Sequence, residues 1–261
     1  MAVKIVNEHS SNIDRSRLLI RSVNHEIRGI LSDSYRRLNT GAIFTAFMLS
    51  VQENNSFIID AHNGRTRNFL EVIKPKIFPI QTPNNGLIFM SLGAQIRNSD
   101  FGHGALSISF VEMQPVCLNG MVTEKILKEV HLGGRLPDDI VLSENTYKKD
   151  TETMASLVSD AMRNLFHDDF ISERIRKIEK ASGIEIDIQR EVRELPKLGM
   201  RIEEAEKCEK VLMENNPGDG IQGGNTLWKL AQTIGVVARD ESDPERSRDL
   251  QEIAGKVMMK A

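Results

Sequence analysis

Apolar and polar residues alternate in several short runs of the N-terminal part of the chain, most clearly over residues 71–78. Alternation of this kind predicts half-buried strands. Asn63-Gly64 and Asn85-Gly86 favour hairpin turns between such runs, because both residue types tolerate positive φ. The predicted strands are Glu26–Leu38, Phe57–Asp60, Asn68–Ile80, Leu87–Arg97 and Ala105–Val116.

Helical spacing interrupts this alternation once and then replaces it. Apolar residues recur four apart in Gly41–Glu53, and they repeat with a helical period from Asn145 to Ala181, where Ser182-Gly183 is a stop signal. A glycine-rich stretch, residues 215–224, resembles a mobile loop. Further helices are predicted over Ile202–Met213, from a cap at Asn225 through Val237, and after Asp243, an N-cap followed by Pro244 at the first helical position.

The order of these elements predicts an α+β fold, since a strand, a helix and a meander of strands precede the helices. We expect residues 1–150 to form an antiparallel, strand-rich part with an early helix. Residues 151–261 are expected to form a helical part that packs on it as one domain. Ten of the 13 aromatic residues precede residue 151, which agrees with strands in the first part.

Charge is distributed unevenly along the chain. The 261 residues are 40% hydrophobic and 27% charged, as in an ordinary globular protein, and the net charge of −3 points to no partner. Residues 1–150 nevertheless hold 17 Lys or Arg against 15 Asp or Glu, whereas residues 151–261 hold 17 against 22. Residues 1–77 alone hold 11 basic against 7 acidic side chains. The small net charge therefore conceals a basic N-terminal segment.

The basic residues of this segment are the most suggestive group for function. Arginine binds phosphate bidentately, so a sheet that presents several of them would follow a nucleic-acid backbone with an affinity that falls as salt rises. Tyr35 and Phe101 are candidates for base stacking. A normally charged sheet face explains the pattern equally well. The candidate phosphate contacts are Arg28, Arg36, Arg37, Arg65, Arg67, Lys74 and Lys76.

No feature of the sequence calls for a membrane or an oxidising compartment. Cys117 and Cys208 are 91 positions apart, which suggests neither a disulfide framework nor a paired-cysteine metal site. The first residues are charged and lack the apolar core of a secretory signal. The uncharged stretch Ile77–Ile96 is long enough for a bilayer, but prolines and asparagines in its middle predict two strands around a turn. We expect a cytoplasmic protein without membrane contact.

The sequence contains no catalytic motif with the required spacing. Gly218-x-Gly220-x-x-Gly223 lacks a preceding strand and the Lys-Ser or Lys-Thr ending of a phosphate-binding loop. Possible metal ligands whose spacing does not force them together are His103, Cys117 and His131. The nearest approach to a metal-dependent nuclease signature is Asp60, Glu71 and Lys74, with Glu-x-x-Lys in place of Glu-x-Lys. We therefore predict no cofactor, no metal and no catalytic residue, and we favour a non-enzymatic role.

Five segments of the chain carry a resemblance to a known family. They are Arg28–Asn39, Ile96–Ser107, Val116–Val122, His131–Gly134 and Asn225–Trp228. With these segments the chain resembles a prokaryotic family found in phages and plasmids, the phage/plasmid-like proteins of domain of unknown function 932. The resemblance implies a phage or mobile-element origin, a bacterial host cell, and one α+β domain with a helical C-terminal part. It carries no settled reaction, so no catalytic residue is transferred from it.

The second and third of these segments contain the best local candidates for a polar pocket. Gly102 and Gly104 could allow a close approach between strands, and Asn119-Gly120 predicts a positive-φ turn after a buried strand. A hydrogen-bonded structural corner is the alternative interpretation. The candidate pocket residues are Arg97, Asn98, Ser99, Asp100, His103 and Asn119.

Three functional hypotheses follow, in decreasing order of support. The first is a nucleic-acid-binding protein of a phage or mobile element that binds or anneals single-stranded DNA and forms a homo-oligomer. The second is an interaction or anti-defence protein that binds a host protein through the acidic helix around Ile202–Leu212. The third is a metal-dependent nuclease around Asp60, Glu71 and His103.

Overall fold

A computed structural model describes residues 18–32, 35, 38–115, 118–129, 142–221 and 223–261. The predictions for Arg36, Arg37, Cys117 and His131 lie outside these residues. The strands are β1 (Leu18–Val23), β2 (Glu26–Ser32), β3 (Phe57–Asn63), β4 (Asn68–Thr82), β5 (Gly86–Asn98), β6 (Leu106–Gln114) and β7 (Asn119–Glu129). The helices are α1 (Thr40–Glu53), α2 (Glu144–Leu165), α3 (Asp168–Gly183), α4 (Ile188–Glu194), α5 (Ile202–Glu214), α6 (Leu227–Arg239) and α7 (Pro244–Met258), with short 3-10 turns at Leu195–Leu198 and Pro217–Asp219.

Strands β3 to β7 form one antiparallel sheet in the order of the chain, and β1 and β2 form a separate hairpin. The predicted meander and the α+β class are therefore confirmed. Gly86 has a φ of +69° at the β4–β5 turn, as its hairpin dipeptide predicts. The uncharged stretch 77–96 forms two paired strands. None of the helices within the described residues has the length and apolar character needed to cross a membrane.

One face of the sheet is apolar. Residues that oppose each other in an antiparallel register point to the same face, and one such row is Leu70, Ile96, Ile108 and Leu127. Helices α1, α2 and α3 pack on this face. Phe110 of β6 meets Phe170 of α3 edge to face, with ring centroids 5.3 Å apart.

The other face of the sheet is polar, although its central strands are covered. One register row across it is Asp60, Glu71, Gln95, Ser109 and Lys125, and the next is His62, Phe69, Arg97, Ser107 and Lys128. Helix α7 packs on β7 at this face. It approaches so closely that a Cβ at Gly255 would lie 1.9 Å from the Val122 carbonyl oxygen. The polar rows and the polar side chains of α7 consequently meet.

The long predicted helix of residues 145–181 is two helices, and the prediction of continuity is wrong. The chain breaks at His167, whose side chain accepts a hydrogen bond from the Asp169 N–H and so caps α3. Asp168 and Asp169 then fall in the first turn of α3, where negative charge is favourable. The apolar period continues across the break because both helices bury the same kind of stripe.

Other boundaries differ from prediction for local reasons. Strand β2 is described as far as Ser32, and most of the remainder of the predicted strand Glu26–Leu38 lies outside the described residues. Thr226, not Asn225, caps α6 by accepting from the Lys229 N–H. The predicted positive-φ turn at Asn119-Gly120 is also wrong, since the positive φ of +55° belongs to Leu118 and Asn119 begins β7. The Asp243 cap with Pro244 is confirmed. Strands β1 and β7 and helix α4 were not predicted, because charged residues interrupt their apolar patterns.

The buried core extends across both parts of the chain. It includes Phe47 of α1, Met90 and Ile96 of β5, Trp228 of α6 and Leu250 of α7. Residues 227–238 of α6 are all buried, which explains its nearly continuous apolar sequence. A boundary at residue 150 would fall inside α2.

Candidate functional site: a polar corner and a cationic cleft

Asn98, Ser99 and Asp100, at the end of β5, form a hydrogen-bonded corner. The Asn98 amide donates to the Thr40 hydroxyl, and the Asp100 carboxylate accepts from the Thr40 N–H at 3.0 Å, so Asp100 caps α1 from another part of the chain. The Ser99 hydroxyl donates to the Thr66 carbonyl and accepts from the His103 N–H. The corner therefore holds together β5, the start of α1 and the β3–β4 turn.

The same corner anchors the β1–β2 hairpin. Arg21 donates to the Asp100 carbonyl oxygen at 3.0 Å and lies 3.4 Å from the Asp100 carboxylate. Gly102 adopts a φ of +83°, and a Cβ there would lie 2.5 Å from Leu31. Tyr35 is only 9% exposed and donates to the Ser99 carbonyl oxygen at 3.0 Å, so little of its ring is available for base stacking. Burial raises the pKa of the Tyr35 hydroxyl.

A polar cleft of about 230 Å³ lies beside this corner, between the polar face of the sheet and α7. We call Arg67, Arg97, Lys125 and Lys128 the cleft cations. His103 also lines the cleft, and from the predicted pocket Arg97, Asn98 and His103 reach it. Asn119 is not among the lining residues: it lies at the start of β7, where its amide donates to the Asp219 carbonyl oxygen at 2.7 Å.

The cleft cations face carboxylates of α7. Glu245, Asp249 and Glu252 occupy positions i, i+4 and i+7, hence one face of the helix; we call them the α7 acids. Arg97 lies 2.6 Å from Glu252 and 3.6 Å from Asp249. The remaining contacts are Lys125 with Glu252 at 2.9 Å and Arg67 with Glu245 at 3.5 Å.

Two of the cleft cations, Lys125 and Lys128, were not predicted as site residues from the sequence. Lys125 and Lys128 are three residues apart, which in a regular strand puts them on opposite faces. A register shift in β7, where Ser109 opposes Lys125 while Ile108 opposes Leu127, turns both lysines to the cleft. The α7 acids could have been found from their helical spacing alone.

The other predicted phosphate contacts are dispersed. Arg65 is 79% exposed and lies, with Arg28, near the Glu26 carboxylate at 3.8 and 3.4 Å. Lys74 lies over the Phe166 ring, on the apolar side of the sheet, and Lys76 lies over Phe78. Of the predicted basic residues that the structure describes, Arg67 lines the cleft and Arg65 lies on the same turn.

Asp60 and Glu71, the acids of the nuclease hypothesis, are brought together by the register of β3 and β4. Arg248 of α7 lies between them and forms an ion pair with each, at 2.6 Å for Glu71. The guanidinium thus occupies the position that a bridging cation would take. Burial raises the pKa of Glu71 against the opposing effects of Arg248 and Gln95. The described residues contain no group of three or more His, Cys, Asp or Glu side chains able to hold a metal.

A second buried ion pair lies on the apolar face. The Arg174 guanidinium of α3 donates to one oxygen of Glu112 at 2.9 and 3.0 Å, and Thr123 donates to the same oxygen. Burial raises the pKa of Glu112 against these contacts. The pair joins α3 to β6 inside the core, so its role is structural.

An apolar groove of about 690 Å³ runs between α1 and β3. Strand β3 lies at an edge of the sheet, and its side chains are exposed or half-buried. Exposed apolar residues that line the groove are Leu49, Phe57 and Ile58. On the helical side of the chain, Ile202 and Met213 at the two ends of α5 are also exposed.

Comparison of the chain with protein-family models, with curated proteins and with solved structures gave no match. The resemblance to the phage/plasmid-like family therefore stays a prediction, and the functional argument depends on the geometry of the site.

Proposed function

We propose that the protein binds single-stranded nucleic acid and that the cleft cations contact its phosphates. The observation that carries this proposal is the convergence of Arg67, Arg97, Lys125 and Lys128, from three separate parts of the sheet, on one cleft. Arginine and lysine side chains grouped in this way supply the positive charge and the hydrogen-bond donors that bind phosphates.

Exposed cations at the outer end of the cleft fit a single strand of nucleic acid that passes along the molecule. Arg65 precedes Arg67 by two residues on the β3–β4 turn, and Lys128 is exposed on β7. With Tyr35 buried, the contacts are to phosphates and not to stacked bases, so the binding is expected to depend strongly on salt and weakly on base sequence.

The test measures binding of a fluorescent oligothymidylate at low salt and at about 200 mM salt. Arg65→Ala with Lys128→Ala should weaken binding and lower the slope of log affinity against log salt by about 0.7 for each lost phosphate contact. Lys148→Ala with Lys207→Ala is the matched control, since it removes the same charge from exposed positions on α2 and α5. Absence of binding by the native protein at low salt would contradict the proposal.

We also propose that the protein assembles as a homo-oligomer. The exposed apolar groove beside edge strand β3 supports this, because monomeric proteins rarely leave an apolar groove next to an unprotected edge. Sedimentation velocity of the free protein and of its oligothymidylate complex measures the oligomeric state and so tests this proposal. A monomer in both states contradicts it.

A further inference from the structure

We infer that the α7 acids compete with the ligand for the cleft cations, so that the cleft accepts a strand of several consecutive phosphates and rejects single phosphates. This inference rests on the proposed function and concerns how the same site selects its ligand. Its basis is that Glu245, Asp249 and Glu252 form ion pairs with three of the four cleft cations, Arg67, Arg97 and Lys125.

The contacts show how complete this internal neutralisation is. Arg97, which is only 16% exposed, contacts both Glu252 and Asp249. Lys125 shares Glu252 with it, and Arg67 faces Glu245. Lys128 makes no ion pair among the described side chains. Among the side chains that the structure describes, a phosphate that arrives at the cleft therefore finds one cation without a carboxylate partner, Lys128, and must take the other three from carboxylates.

The exposure of two of the α7 acids also permits a phosphate to replace them as partners of the cleft cations. The Asp249 and Glu245 side chains are 42% and 31% exposed, so water can hydrate them once their cations turn to a ligand. Exposed ion pairs are weak, because water solvates both partners. Arg67 keeps its hydrogen bond to the His103 carbonyl oxygen at 2.7 Å, which holds its guanidinium at the cleft. Asp249 and Glu245 are thus replaceable counter-charges, whereas Glu252, which is 18% exposed, is held by both Arg97 and Lys125.

Ligand selection follows from this arrangement. A single phosphate can pair with Lys128, but any further contact requires a cation that first leaves its carboxylate. Several linked phosphates engage the cations together, and after the first contact the others form within one complex at high effective concentration. We therefore expect affinity to rise steeply over the first few phosphates of a single strand and to be very low for inorganic phosphate or a mononucleotide.

The experiment compares the native protein with the triple variant Glu245→Gln, Asp249→Asn and Glu252→Gln. Probes are inorganic phosphate, thymidine 5′-monophosphate and oligothymidylates of increasing length. The variant should bind each probe about two- to fivefold more tightly per released cation, and its salt slope for long strands should be steeper by about 0.7 per cation. Its affinity should also rise more gradually with strand length.

The matched control is Glu152→Gln, Glu203→Gln and Glu206→Gln, which changes the net charge by the same amount at exposed positions on α2 and α5. An equal gain in this control would overturn the inference, because the effect would then be one of overall charge. Circular dichroism checks the fold of each variant. If the triple variant unfolds, Glu245→Gln with Asp249→Asn, at the more exposed positions, replaces it.

The outcomes separate the inference from the proposed function. Binding by the native protein that is unchanged or weakened in the variant overturns the inference and leaves the proposed function intact. Binding by the variant alone supports the inference and contradicts the proposed function for the native protein. If neither protein binds any probe, both are overturned.

Discussion

At the scale of single residues, most buried charges of this protein serve to join elements. Arg248 links α7 to β3 and β4, Arg174 links α3 to β6, and Arg246 links α7 to α5. Removing one partner of such a pair leaves the other buried and unpaired, which is far more costly than losing an exposed pair. The cleft is different, because Arg67, Glu245 and Asp249 in its ion pairs are 31–42% exposed, although Arg97 and Glu252 are less so.

Glu204 of α5 provides a pH-dependent test of this linking role. Arg246 donates to both of its carboxylate oxygens, at 2.8 and 2.5 Å, and the Arg201 N–H donates at 2.7 Å. Burial acts to raise the pKa of Glu204, but these hydrogen bonds outweigh it and hold the pKa of the carboxyl below its usual value. The ionised carboxylate is therefore favoured in the folded state.

We expect Glu204→Gln to lower the free energy of unfolding by about 1–2 kcal/mol at pH 7. A lowered folded-state pKa stabilises the protein above the unfolded value of 4.5, and this contribution is lost as the pH falls through the folded-state pKa. The difference between native protein and variant should thus shrink in urea titrations below pH 4.5. Glu203→Gln, at the exposed neighbouring position, serves as the control and should change the free energy of unfolding at pH 7 by no more than about 0.5 kcal/mol. A constant difference down to pH 2 would contradict the assignment.

At the scale of elements, close packing of α7 on β7 positions the whole cleft. Gly255→Ala places a Cβ 1.9 Å from the Val122 carbonyl oxygen and must push the helix from the sheet. We expect a loss of about 3 kcal/mol of unfolding free energy or more, measured by urea denaturation. Gly41→Ala is the control, because its Cβ in helix α1 meets no atom within 4 Å, and it should be neutral or stabilising by at most about 1 kcal/mol. Similar effects in the two variants would show that α7 has room to move.

Element types were more predictable from the sequence than the site was. Periodicity and turn dipeptides predict the α1 helix and the β4–β5 hairpin because their signals are local. The cleft depends on a register shift in β7 and on the packing of α7 against the sheet. Neither feature can be read from a short stretch of the amino-acid sequence. Arg97 and His103 were predicted for a pocket on local grounds, whereas Lys125 and Asp249 become neighbours only through the tertiary fold.

At the scale of the whole molecule, the two sheets differ in how firmly they are held. The interior strand β6 is buried along its whole length, and the central strand β5 is buried over most of its length. The β1–β2 hairpin is mostly half-buried or exposed and is held through Arg21, Gly29 and Leu31 at the polar corner. A two-stranded hairpin is marginally stable by itself, so the corner supplies much of its order.

This difference predicts a gradient of local stability that hydrogen exchange with mass spectrometry can measure. Peptides that cover residues 106–114 should exchange only through global unfolding, whereas those that cover 18–32 should exchange through local opening at a lower free energy. Arg21→Ala removes the hydrogen bond to Asp100 and should speed exchange of 18–32 without changing exchange of 106–114. Lys148→Ala, on the exposed side of α2, should change neither segment. If both segments exchange at the same rate in the native protein, the hairpin belongs to the same cooperative unit as the meander, and the corner at Asn98–Asp100 then transmits the full stability of the sheet.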